Sequence, residues 1–149
     1  MDFNSEAIRT AVAKGIPFVG NTGIVVEVLE KGYTKMRMPF EPNKNHVGTM
    51  YAGALFTLAE LPGGAIFISS FDNTRFYPIV RDMSIRFRRP ATSDVTVEVR
   101  VGEEFVQKVQ AEAEANGKAD YEWESELKDA NGTVVAIARS IFQLRKIGT

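Results

Sequence analysis

The chain of 149 residues has the length of a single domain, and its 44% hydrophobic and 25% charged residues are ordinary for a soluble globular protein. Its 18 basic and 19 acidic residues give a net charge of −1 with no long block of one sign, so we expect neither a nucleic-acid nor a membrane partner. The chain has no cysteine and only one histidine, which excludes disulfides, thiolate catalysis and a multi-histidine metal centre. We expect no metal site.

The N-terminal segment predicts a short helix from Asn4 to Lys14. Either Asn4 or Ser5 provides its cap, and Gly15 with Pro17 ends it. The segment lacks the basic start and the apolar run of a signal peptide, which favours a cytoplasmic protein.

The stretch from Pro42 to Ser70 begins with a polar loop and becomes an apolar segment with one carboxylate, Glu60. This composition predicts a helix that is buried nearly all round. A glutamate, a proline and two glycines interrupt the segment, so it falls short of the ~20 mainly apolar residues that span a bilayer. Because proline removes a helical hydrogen bond at a cost of ~3 kcal/mol, Pro62 is predicted to kink or end the helix just after Glu60.

The remaining chain is dominated by strand patterns, most clearly from Asp94 to Val101, where valine alternates with polar residues. The predicted elements are strands over 22–30, 33–39, 77–89, 94–101, 121–128 and 133–144, and a helix over 103–115. So many strands around one apolar helix predict an α+β fold, an antiparallel sheet wrapped around a central helix. We treat 1–149 as one domain with an N-terminal helical extension over 1–19.

Three stretches carry a resemblance to a known family: VEVLEKGYTKMRMP, NHVGTMYAGALFTLAE and RDMSIRFRRPA. In this order the chain resembles the hotdog fold, in particular the small acyl-CoA thioesterases related to the phenylacetate-pathway enzymes, over about Gly20 to Arg145. The resemblance implies a homodimer or a dimer of dimers and an acyl thioester substrate. It implies no cofactor beyond the coenzyme A that is part of that substrate.

Thioester hydrolysis needs a donor that polarises the carbonyl and a base or nucleophile that delivers water. The start of the helix, Tyr51-Ala52-Gly53, offers free N–H groups beside small residues, and the resemblance assigns the oxyanion donor to the Ala52 amide. It also assigns the catalytic carboxylate to Glu60. The alternative reading of Glu60 is a helix residue that pairs with an arginine or hydrogen-bonds across a dimer.

The other candidate positions each keep a structural alternative. Asn45 matches an asparagine that orients water or the acyl carbonyl, or it is a turn residue. Tyr51 replaces the histidine expected there, and its phenol either donates a hydrogen bond or packs at the helix start. Val80 stands where many relatives carry a serine or threonine, and His46 is read as a loop residue.

Four arginines follow the helix closely in sequence, and they either bind the phosphates of coenzyme A or lie on a solvated face. They are Arg81, Arg86, Arg88 and Arg89. Two functions therefore stay open: an acyl-CoA thioesterase, and a hotdog protein that binds an acyl thioester or fatty acid without hydrolysing it.

Helix geometry predicts that the site is shared between two subunits. Tyr51 and Glu60 are nine positions apart, which separates them by about 13 Å on opposite faces of an unbroken helix. The last strand, in addition, has apolar residues on both faces, such as Val134 and Val135. An unpaired strand of this kind is hazardous unless it is covered, which also predicts a dimer.

Overall fold

The computed structural model describes residues 1–149 as four α-helices and six β-strands. In chain order these are α1 (Glu6–Lys14), α2 (Pro17–Gly20), β1 (Val25–Glu30), β2 (Tyr33–Met38), α3 (Ala52–Ser70), β3 (Phe76–Phe87), β4 (Val95–Arg100), α4 (Glu103–Asn116), β5 (Lys118–Lys128) and β6 (Val134–Lys146). Every element that the sequence predicts is present within a few residues of its expected bounds, and Ser5 is the cap of α1. The short helix α2 was not predicted.

The six strands form one antiparallel sheet in the order β1-β2-β4-β5-β6-β3. The sheet wraps around α3, so the predicted α+β hotdog arrangement is confirmed. The valines of β4 show why the alternation was informative: Val95, Val97 and Val99 are buried against the core, whereas Glu98 is exposed.

The prediction that the last strand is an edge is wrong. β6 lies between β5 and β3 and pairs with both. Its residues are apolar on both faces because the strand is central in the sheet, with Val135 and Ala136 fully buried. The edges are β1 and β3.

The two edges differ in how they are covered. Along β1, the Arg9 guanidinium donates to the Val26 carbonyl at 3.2 Å, and the Asn4 side chain accepts the Leu29 N–H at 3.1 Å. The N-terminal segment therefore satisfies backbone groups of this edge. The 12-residue strand β3 has no such cover within the chain, and its apolar side chains Tyr77 and Val80 are exposed.

Helix α3 does not end at Pro62, as the sequence predicted, but runs unbroken for 19 residues. The missing hydrogen bond costs ~3 kcal/mol, whereas burying a side chain such as Leu58 or Ile66 contributes roughly 1.5–3 kcal/mol. Both of these side chains are fully buried, so packing against the sheet outweighs the proline. By length and composition the helix could cross a membrane, which corrects the sequence argument, but 67% of its apolar 18-residue window is buried inside the domain.

The helix is also not buried on every side. One face carries Phe56, Glu60, Gly64 and Ile68 at four-residue spacing, and this face forms the outer stripe of α3. Phe56 is 40% exposed and Ile68 is 38% exposed. An apolar surface with one carboxylate at its centre therefore faces outward from the chain.

Candidate active site

The first turn of α3 presents two free backbone donors. Tyr51 is the N-cap residue, and its carbonyl accepts the N–H groups of Ala54 and Leu55 at 3.0 and 3.2 Å. The N–H groups of Ala52 and Gly53 donate to no protein atom, and no side chain caps the helix. Together with the positive end of the helix dipole, they can hold an oxygen that carries negative charge.

One cavity lies on the Ala52 side of this turn, and we call it the arginine cleft. It has a volume of about 330 Å³ and brings together four of the predicted site residues, namely Asn45, Ala52, Arg88 and Arg89. The rest of its wall consists of Thr49, Met50, Leu55, Phe87, Pro90 and Ala91. It therefore joins a free backbone donor to two cationic side chains.

The two arginines of the cleft, Arg88 and Arg89, form no ion pair within the chain. The arginines that form ion pairs are Arg37, Arg75, Arg81 and Arg139. Arg88 and Arg89 are exposed and bond to neighbouring strands only through their backbone N–H groups, which donate to the Val135 carbonyl. Their guanidinium groups are available to an anion.

Asn45 uses its side chain within its own loop. Its carbonyl oxygen accepts the N–H groups of Val47 and Thr49 at 3.0 Å each, and its amide donates to the Thr49 hydroxyl at 2.9 Å. These bonds close the loop that forms one wall of the cleft. His46 projects from the same loop into solvent.

A second cavity of about 220 Å³ lies on the Gly53 side of the turn, and we call it the aromatic pocket. Phe18 from α2 and Tyr51 stand exposed at its rim. Its other lining residues are Asn21, Thr22, Asn43, Gly53, Ala54 and Thr57. A methyl group added to Gly53 would overlap the Tyr51 ring, so glycine is what allows the ring to lie over the helix start.

Phe18 was not predicted as a site residue. It lies in the N-terminal extension, 33 positions before Tyr51, and the sequence shows only an aromatic residue directly after Pro17.

Glu60 is half-buried in the outer stripe and makes no hydrogen bond or ion pair within the chain. Burial raises its pKa above the usual value for a carboxyl group. It lines neither cavity. Eight positions separate it from Ala52, or about 12 Å along the helix axis, so one chain does not bring the two groups together.

The predicted residues of β3 lie away from both cavities. Arg81 forms an ion pair with Asp120 at 2.7 Å, and Val80 is exposed on the open strand. Arg86 lines a separate cavity of about 470 Å³ together with Glu124 and Arg139. The four arginines therefore do not form one cluster, because only Arg88 and Arg89 reach the cleft.

The chain is similar to several proteins of known structure. A protein of unknown function from Pseudomonas aeruginosa, called a probable thioesterase, is 52% identical, with 95% of each chain covered and a TM-score of 0.93. A mutant of a thioesterase from the same species is 18% identical over 96% of each chain, with a TM-score of 0.73. A Haemophilus influenzae thioesterase is 14% identical over 89% of this chain and 85% of its own, with a TM-score of 0.67.

The two distant structures support the hotdog fold alone. No curated protein matches the sequence. Residues 4–143 match the family described as a domain of unknown function, DUF4442. That match covers nearly the whole domain, and the chain therefore belongs to the DUF4442 family and has the hotdog fold of its thioesterase neighbours.

Proposed function

We propose that the protein hydrolyses acyl-CoA thioesters, with Glu60 as the base or nucleophile and the Ala52 amide as the oxyanion donor. The observation that carries the proposal is Glu60 itself, a half-buried carboxylate without a partner in an outward apolar stripe. The relative at 52% identity, called a probable thioesterase, supports the same reaction class.

In the general-base form of the reaction, Glu60 takes a proton from water while the water oxygen attacks the thioester carbonyl carbon. The negative oxygen of the tetrahedral intermediate accepts hydrogen bonds from the free N–H groups of Ala52 and Gly53. The carbon–sulfur bond then breaks, the thiolate of coenzyme A takes the proton, and the free acid remains. In the nucleophilic form, the Glu60 carboxylate attacks the carbonyl carbon and the carbon–sulfur bond breaks, which leaves a mixed anhydride and the thiolate of coenzyme A. Water then hydrolyses the anhydride to the free acid and the Glu60 carboxylate, and the proton that water releases passes to the thiolate.

The neighbouring residues would position the substrate. The Tyr51 phenol is exposed beside the free donors and can give a further hydrogen bond, and Asn45 holds the wall of the cleft. Arg88 and Arg89 would bind phosphate groups of coenzyme A, since guanidinium groups suit phosphate oxygens. We expect Arg81, which is already paired, to contribute little.

The proposal requires two copies of the chain, because Glu60 and Ala52 lie too far apart in one. Two antiparallel α3 helices whose outer stripes face each other would bring Ala52 of one copy near Glu60 of the other. The same pairing would cover Phe56 and Ile68 and place the open strands β3 edge to edge. We therefore propose a homodimer, or a dimer of dimers, with shared sites.

The second candidate is a protein that binds acyl thioesters without hydrolysing them. Val80 favours it, because this exposed side chain has no hydroxyl group to position water. Tyr51 favours it too, because it stands where the resemblance leads us to expect a histidine, and a phenol is less suited than an imidazole to exchange protons near neutral pH.

A panel of acyl-CoA substrates with detection of the free thiol separates the two candidates. Glu60→Gln keeps the shape and removes the base, so turnover should fall by ~10²–10⁴ if Glu60 is the general base. The matched control is Glu104→Gln, at an exposed position of α4, which should leave turnover unchanged. Binding of acyl-CoA without thiol release by the wild type would favour the second candidate. Full activity of Glu60→Gln would remove Glu60 from the mechanism.

A further inference from the structure

We propose that the aromatic pocket holds the acyl group of the substrate, and that Phe18 of the N-terminal extension limits this group to a short or single-ring apolar one. The inference rests on the proposed reaction for the position of the thioester carbonyl. It assigns a role to a residue that lies outside the strands and helix of the hotdog core.

The position of the pocket follows from the two free donors of α3. The Ala52 residue lines the arginine cleft, and the adjacent Gly53 lines the aromatic pocket. When the carbonyl oxygen binds at these two donors, the acyl group and the coenzyme A group of the thioester extend to opposite sides of the helix start. The cleft carries two free guanidinium groups for the phosphates, whereas no charged residue lines the pocket. The acyl arm therefore suits the pocket.

Three polar side chains of the pocket, Thr57, Thr22 and Asn43, already donate hydrogen bonds within the chain, whereas the Asn21 side chain and the Tyr51 phenol do not. The Thr57 hydroxyl donates to the Gly53 carbonyl at 2.8 Å, and the Thr22 hydroxyl donates to the Val19 carbonyl at 2.6 Å. The Asn43 amide donates to the carbonyls of Thr22 and Pro39 at 2.8 Å each. An apolar ligand thus leaves few groups without a partner, and the exposed rings of the rim gain contact.

The size of the pocket limits the ligand. A volume of 220 Å³ holds roughly seven non-hydrogen atoms with their hydrogens, if each occupies ~30 Å³, the volume that one water molecule takes up in the liquid. An acyl chain of about four to eight carbons, or a benzoyl ring, fills such a space.

Phe18 is held at the rim by its own short helix. Pro17 occupies the first turn of α2, Val19 is buried in the core, and Thr22 closes the end of the helix through the Val19 carbonyl. The Phe18 side chain projects from this anchored turn and is 67% exposed. Its replacement should therefore change the pocket with little effect on the fold.

The test measures kcat/KM and Kd for benzoyl-CoA and for straight-chain acyl-CoAs of two to sixteen carbons. We expect the wild-type maximum at about four to eight carbons. Phe18→Ala should raise the preference for long over short chains by about tenfold, and Phe18→Trp should lower it, since one methylene group in a hydrophobic pocket changes selectivity by at least about that factor. The matched control is Ile16→Ala, because Ile16 is 51% exposed and does not line the pocket.

The ratio between substrates distinguishes selectivity from a structural role. A loss of kcat/KM that is equal for all chain lengths in both Phe18 variants would overturn the inference, as would a wild-type maximum at twelve or more carbons. If no substrate is hydrolysed, the proposed reaction fails, but the Kd profile still tests the pocket. A Kd that is independent of chain length and of Phe18 would then refute it.

Discussion

Glu60 is the only charged residue of α3, and its neighbours on the outer stripe are Phe56 and Gly64. An ionised carboxylate in this position loses part of its hydration and gains no partner within the chain, which raises its pKa. A carboxylate with a raised pKa is a stronger base near neutral pH. The same loss of hydration means that ionised Glu60 lowers the free energy of unfolding of the protein.

The effect of Glu60 on stability should depend on pH. Its pKa is raised from 4.5 by burial, so the folded protein binds this proton more tightly than the unfolded chain does. Below pH 4.5 the carboxyl group is mostly protonated in both states, and Glu60 carries little penalty. As the pH rises through the raised pKa, the stability falls, and above it the penalty stays constant. Glu60→Gln should therefore have a higher Tm than the wild type at pH 7 and an equal one at pH 4.

Thermal unfolding of the wild type, Glu60→Gln and the Glu104→Gln control at both pH values measures this difference. The control loses only the favourable interaction of Glu104 with the N-terminal end of α4, so its Tm should lie slightly below that of the wild type at pH 7, a change opposite in sign to that of Glu60→Gln. An equal Tm difference for Glu60→Gln at pH 4 and pH 7 would contradict the prediction, because it would show that the effect does not come from ionisation.

Single residues were predictable from the sequence to different degrees. Glu60 and the helix start could be singled out as candidates because a lone carboxylate in an apolar segment, and small residues at its beginning, are local patterns. The ion pair of Arg81 with Asp120 and the contribution of Phe18 were not predictable. Both join parts of the chain more than 30 positions apart, and only the tertiary fold defines them.

Among the elements, α3 shows most clearly where local rules fail. Proline propensity predicted an interruption at Pro62, but the sheet packs on both sides of this point and the helix continues. The two glycines that follow also looked equivalent in sequence. Gly63 faces the Phe142 ring and Gly64 faces open space.

The two glycines should therefore respond oppositely to alanine. A methyl group at Gly63 would overlap the Phe142 ring, and overpacking of this kind costs about 1–3 kcal/mol. At Gly64 no atom of the same chain lies within 4 Å of the new methyl group, so Gly64→Ala should stabilise the helix of the single chain by roughly 0.5–1 kcal/mol. Because Gly64 belongs to the outer stripe through which we propose that two copies pair, both variants are compared at concentrations at which the copies are separate. Urea unfolding of both variants measures the difference. Equal effects of the same sign would contradict this packing of α3.

At the scale of the whole molecule, the sequence analysis predicts the antiparallel sheet correctly but assigns the wrong strand to its edge. Apolar residues on both faces are compatible with a central strand as well as with an unpaired edge strand. The pattern of one strand does not show which strands pair with it. The open edge is β3, which carries Tyr77, Val80 and Phe87 as exposed apolar residues. This edge and the outer stripe of α3 are the surfaces through which we propose that two copies pair.

Mixing two inactive variants tests the shared site. Glu60→Gln removes the base, and Ala52→Pro removes one donor at the first helical position, where proline is tolerated. Their heterodimer has one site with both defects and one intact site, so a mixture after subunit exchange should recover up to about a quarter of wild-type activity per subunit. Sedimentation of each variant checks that it folds and pairs. Confirmed exchange without recovered activity, or a stable monomer at micromolar concentration, would contradict the shared site.

The hydrogen bonds from Arg9 and Asn4 to β1 have a consequence for aggregation. A sheet with two bare edges can accept a new copy at each end, and repeated addition produces a filament. Here the N-terminal segment occupies groups of one edge, and only β3 is left to accept another strand. Once that single edge is paired, growth stops. Loss of residues 1–9 would remove both hydrogen bonds and give the sheet a second open edge, at which further copies could add.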